Sequence, residues 1–136
     1  MKGHASQILL CLTLLAALPA AAWGAAPQEA DPCDQATSTS AMAECRDMQA
    51  KHWDQRLNKA YQTLQRDVAP AQRKPLQAAQ RLWIKYRDAN CGFYAAGDGS
   101  IARVLAADCV QSMTKQRACE LEVAGGPQQA SGPQCQ

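Results

Sequence analysis

The 136-residue chain has no Cys-x-x-Cys pair and only two histidines, His4 and His52. Both the usual zinc spacings and the dithiol redox motif are therefore missing. Charge of one sign is scarce too: 14 Lys and Arg stand against 12 Asp and Glu, for a net charge of +2. Nucleic-acid binders need a strong basic patch, so the near-neutral charge argues against that class. Membrane-surface binding by net charge is disfavoured on the same ground. Ser38, Ser40, Ser100, Ser112 and Ser131 all lie outside any Gly-x-Ser-x-Gly context. No carboxylate pair stands out as an acid–base couple, and His52 lacks the partners a general base needs. These absences read against an enzyme, and they imply neither a metal nor a cofactor. Nothing alternates with period two over several residues, so no strand is expected. There is no internal repeat.

Long apolar runs are almost absent. The one candidate, Ile8 to Leu18, follows Lys2 and His4 and precedes Pro19, Ala20, Ala21 and Ala22. That order is the layout of a secretory signal. The run falls short of the roughly 20 residues a transmembrane helix needs. Residues 1–24 are read as a leader, with the cut between Ala22 and Ala26. Cys11 sits inside the run after Leu10, so no lipid-modified cysteine is expected and no stable membrane anchor survives cleavage. Cleavage removes Lys2 and no acid, leaving 13 basic residues against 12 acidic ones, a net +1. Roughly 110 residues remain, enough for one domain with one core.

What is present in quantity is cysteine. Cys11 leaves with the leader, and Cys33, Cys45, Cys91, Cys109, Cys119 and Cys135 remain. An even number in a small exported domain reads as disulfides, and the spacing leaves the pairing open. The expected location is the periplasm or the exterior.

Residues 25–39 read as an extended lead-in stapled by Cys33. Ser38, Thr39 and Ser40 are N-cap candidates. From Ala41, the residues Cys45, Met48 or Gln49, Trp53, Leu57, Ala60 or Tyr61, Leu64 and Val68 recur every three or four positions, as in an amphipathic helix. Pro70 biases Ala69 away from helical angles and ends it. A second helix starts between Ala71 and Pro75, with Leu76, Ala79 or Gln80, Trp83, Tyr86 or Arg87, Asn90 and Tyr94 inward. A third stripe runs through Ile101, Val104, Leu105, Cys109, Met113, Gln116 or Arg117 and Leu121, with a candidate break near Ala106. Residues 124–136 form a Gly/Pro-rich tail. The short first connection predicts antiparallel neighbours. The fold class is all-α: a small antiparallel helical hairpin plus a third helix, braced by disulfides.

Trp53 and Trp83 read as core fillers rather than a ligand cage. Arg87 could pair with Asp47 or Asp54 across the hairpin, and Arg117 with Asp88. Gly97, Asp98, Gly99 and Ser100 form a turn whose amides could face an anion, although Gly-Asp-Gly is also ordinary turn chemistry.

One string is more specific: Gln80-Arg81-Leu82-Trp83-Ile84-Lys85-Tyr86-Arg87-Asp88-Ala89-Asn90-Cys91. It follows Cys33, Cys45, Leu57, Asn58 and Tyr61, and precedes Gly99, Ser100, Cys109, Thr114, Arg117 and Leu121. In this order the residues resemble the LprI-type domain, a family named for a lysozyme inhibitor. The resemblance spans residues 33–123. It implies a helical, disulfide-linked, exported domain and a protein partner, either lysozyme or another envelope protein. Leu57, Asn58, Tyr61, Gln80, Trp83, Tyr86, Arg87, Asp88 and Arg117 are the shared positions, suited to a core or to a binding face. Cys119 and Cys135 look like additions to the family's usual four cysteines and could form their own bridge. The expected function is a binding protein that inhibits lysozyme by occluding its cleft, with Gly97 to Ile101 as the contact loop. The alternative is an envelope accessory or scaffold protein without enzyme activity.

Overall fold

The computed structural model describes residues 31–126 and Cys135. The leader, the first part of the lead-in and most of the tail lie outside the described residues. Three helices follow in order: α1 (Thr39–Asp67), α2 (Pro70–Ala95) and α3 (Ile101–Ala124). No strand occurs among the described residues. No helix among them is long and apolar enough to cross a membrane.

Helix α1 starts at Ser38, whose hydroxyl accepts from the Ala41 amide at 3.1 Å. Ser40, the alternative cap, instead reaches Glu44 at 3.0 Å. The stop at Val68 comes where Pro70 was expected to impose it. Helix α2 begins earlier than expected, at Pro70 itself. Proline is pre-organised for a first helical position and has no amide to satisfy there. The Gln72 side chain accepts from the Ala69 amide at 3.2 Å, capping one donor that Pro70 does not cover. Pro75 therefore lies inside the helix rather than opening it. Helix α3 runs unbroken through Ala106.

The chain goes up, down and up, but the main packing joins α1 to α3. Arg46 meets Asp108, Trp53 meets Lys115 and Arg56 meets Glu122, so partners rise together and the two helices run parallel. Gln80 meets Arg117 and Asn90 meets Met113, so α2 runs antiparallel to α3. Helices α1 and α2 are antiparallel neighbours in the chain, yet each packs chiefly on α3. The core holds Trp53, Leu57, Ala60 and Leu64 from α1 with Ala118 and Leu121 from α3, and Leu76 and Trp83 of α2 close one side.

One expected face is displaced. On α3 the buried positions include Ala102, Ala107, Thr114 and Ala118, while Ile101 and Leu105 are exposed. Small side chains let α3 approach its neighbours, and that close packing selects the alanine face over the bulkier one. On α2 the expected inner face holds, taking Gln80 and Arg87 of the alternatives, while Tyr94 at its end, expected inward, is exposed.

The six cysteines pair in sequence order: Cys33–Cys45, Cys91–Cys109 and Cys119–Cys135. The first ties the lead-in to α1. The second clamps the end of α2 to the start of α3. The third pins the tail to α3 beside the Arg56–Glu122 pair, where Arg56 Nη2 lies 3.4 Å from Cys135 Sγ.

Candidate functional site

Gly97, Asp98, Gly99 and Ser100 form the exposed tip between α2 and α3. The turn is built by local bonds: the Gly97 amide donates to the Tyr94 carbonyl at 3.2 Å, and the Ala102 amide to the Gly99 carbonyl at 3.3 Å. Gly99 has φ +76°, a left-handed conformation that glycine adopts at little cost. Ser100 precedes α3 without a side-chain capping bond. Below the tip, the Cys91–Cys109 bridge holds the two helices with Cα atoms 5.5 Å apart. Phe93, Tyr94, Ile101 and Leu105 are exposed beside it. The tip is thus a short polar loop carrying one acid, Asp98, on a covalently clamped base with apolar flanks.

The resemblance motif divides into interior and surface. Leu57 is buried in the core, and Trp83 packs against it. Gln80 and Arg117 are buried and bonded to each other. Tyr61 accepts from Gln65 at 2.8 Å. Asn58 is exposed and donates to Asp54 at 2.9 Å. Tyr86 and Asp88 face outward.

Neither expected cross-helix ion pair forms. Arg87 binds its neighbour Asp88 at 2.8 Å while its guanidinium lies 5.2 Å from the Trp83 ring centroid. The indole, one turn back on the same helix, fixes the guanidinium where Asp88 can reach it. Asp54 is engaged by Asn58 instead. Arg117 pairs with Glu120 at 2.8 Å rather than with Asp88.

Sequence reading missed the pair of Arg56 with Glu122, a bidentate contact at 2.5 and 2.7 Å. Glu122 holds the Arg56 guanidinium pKa above its ordinary value. Also missed was Arg46, which joins Asp31 at 2.6 Å to Asp108 at 3.1 Å. The Asp31 carboxyl is held below its ordinary value, chiefly by the Cys33 amide that donates to it and then by Arg46.

A groove of about 800 Å³ lies along α1 and α3, lined by Asp31, Arg46, His52, Trp53, Asp108 and Lys115 among others. The Trp53 ring has Arg56 at 4.8 Å and Lys115 at 5.5 Å and is buried, so little of it is open to a ligand. His52 meets the Trp53 edge at 5.6 Å, and its ring bonds to no hydroxyl or carboxylate among the described residues. Cys119, Glu122 and Cys135 have ligand atoms within 4.8 Å of one another. The two sulfurs are joined to each other, which removes the thiolates a metal would need.

A family model described as "Lysozyme inhibitor LprI" matches residues 31–121. An uncharacterized protein, R02472, of Rhizobium meliloti (strain 1021) is 33% identical over 135 residues, covering 87% of this chain and 90% of its own length. No solved structure matches.

Proposed function

Since the chain belongs to the lysozyme inhibitor LprI family, we propose that it is an exported binding protein that inhibits lysozyme by occlusion. The observation that carries this reading is the tip at Gly97–Ser100, fully exposed and clamped by Cys91–Cys109. A loop entering an enzyme cleft loses affinity to the ordering of its own backbone, and a covalent clamp removes part of that cost in advance. Asp98 at the tip suits a basic enzyme. Three disulfides and the leader-like N-terminus support export.

The test is a cell-wall lysis assay with chicken-type lysozyme and the oxidised protein, beside a reduced and alkylated control. Inhibition by the oxidised form alone is expected, weakened by Asp98→Ala with Ser100→Ala. Undiminished lysis at high molar excess of oxidised protein would sink the proposal.

A further inference from the structure

We propose that the outer face of α2 is a reversible docking surface for an anionic lipid bilayer. The near-neutral net charge of the chain hides a segregation. Helix α2 carries Arg73, Lys74, Arg81, Lys85 and Arg87 against the single acid Asp88. The rest of the chain is net negative, with nine basic residues against eleven acidic ones. Asp88 is occupied by Arg87. Lys74, Arg81 and Lys85 are exposed and form no ion pair among the described residues.

Spacing places these three on one strip, since seven and four residues are close to whole turns. Beside them runs a second strip at alternating steps of four and three: Pro75, Ala79, Leu82, Tyr86, Ala89 and Phe93. All six are exposed, and the large ones strongly so: Leu82 at 66%, Tyr86 at 62% and Phe93 at 75%. The inward face is a different one, with Gln80, Arg87 and Cys91 turned toward α3. The pinned end of the tail does not reach this face, because Cys135 is bonded to Cys119 beside Arg56.

Leucine and aromatic side chains beside an unpaired lysine and arginine strip are the composition of helices that lie in a membrane interface. Anionic headgroups attract such cations when they lie close to the surface. A second copy of the chain fits less well. Two α2 helices paired along this stripe would set Lys74, Arg81 and Lys85 of each copy against those of the other, and the one acid on that strip, Asp88, is already held by Arg87. The proposal is independent of lysozyme inhibition.

The test is co-sedimentation of the oxidised protein with vesicles of phosphatidylcholine alone, and of equal parts phosphatidylcholine and phosphatidylglycerol. Binding to the mixed vesicles only, and its loss in high salt, is expected. Arg81→Gln and Lys85→Gln should each weaken partition about fivefold, from about 1 kcal/mol per cation. Phe93→Ser should weaken it too. Lys51→Gln and Lys59→Gln on α1 serve as exposed controls and should leave partition unchanged. All these positions are exposed, and each variant should keep the parent's circular dichroism spectrum. Equal binding to both vesicle types, no binding to either, or α2 variants that bind like the α1 controls would overturn the proposal. So would a dimer in light scattering that Leu82→Ser abolishes while vesicle binding persists.

Discussion

Arg117 on α3 donates its Nε–H to the side-chain oxygen of Gln80 on α2 at 3.0 Å, and both side chains are buried. This bond crosses from the helix least integrated into the core to the helix at its centre. Gln80→Leu leaves the guanidinium short of an acceptor in a buried site, a loss of about 1–3 kcal/mol. Replacing both residues, Gln80→Leu with Arg117→Leu, removes the orphaned donor. The double variant should therefore lose less than the two single variants combined. Urea denaturation of the four proteins measures this, and strictly additive losses would show that the pair is not coupled.

Within the family motif, position decides the outcome. Leu57 lies in the core between α1 and α3, so Leu57→Ala should cost about 2–5 kcal/mol through lost burial and a residual cavity. Tyr86 is exposed on the outer face of α2 and should tolerate Tyr86→Ala within about 0.5 kcal/mol. Denaturation midpoints compare the two. A large loss at Tyr86 would mean that the outer face of α2 is packed in solution.

The three helices were legible in the sequence because periodicity, a serine cap and Pro70 agree on them. The six-cysteine framework was legible from number and compartment, but its pairing was not. Pairing depends on which helices touch, and the touching was misjudged where alanines carry it. A stripe of Ala102, Ala107 and Ala118 is a weak hydrophobic signal, while Ile101 and Leu105 are a strong one, yet close approach favours the former. The salt bridges failed for a related reason. Spacing finds partners along a helix, as for Arg117 with Glu120 three residues on, whereas Arg46 and Arg56 reach Asp108 and Glu122 by helix register, which sequence does not print. The tip at Gly97–Ser100 was visible as turn chemistry. The clamp beneath it became visible only with the fold. Leu82 and Phe93 fell off the expected inner stripe of α2, and their regular spacing with Tyr86 was the available signal.

Asp31 gives the fold an acid-sensitive contact. Its carboxyl is held below the ordinary value by the Cys33 amide, with help from Arg46. A group whose folded pKa is depressed contributes stability above its unfolded pKa and loses it as pH falls through the folded value. The contribution is therefore fully present at neutral pH and fades below about pH 4, the ordinary Asp range. Asp31→Asn should be less stable than the parent at pH 7, with the gap closing in acid. Denaturant midpoints across that range test the sign, and a gap that widens on acidification would contradict it.

The Cys91–Cys109 bridge should act locally as well as globally. It spans 18 residues, for which the chain-entropy argument gives about 3 kcal/mol of stabilisation. Replacing both cysteines, Cys91→Ser with Cys109→Ser, should lower the denaturation midpoint. It should also free the tip to fray, because the remaining bonds there are the two turn contacts from the Gly97 and Ala102 amides. Fraying exposes backbone around Gly97–Ser100, so limited proteolysis under native conditions should cut there faster than in the parent. Removing the Cys33–Cys45 bridge instead should lower stability without raising cleavage at the tip, because that bridge lies with the lead-in against α1. Equal tip cleavage in both double variants would assign the effect to global unfolding and leave the clamp with no local role.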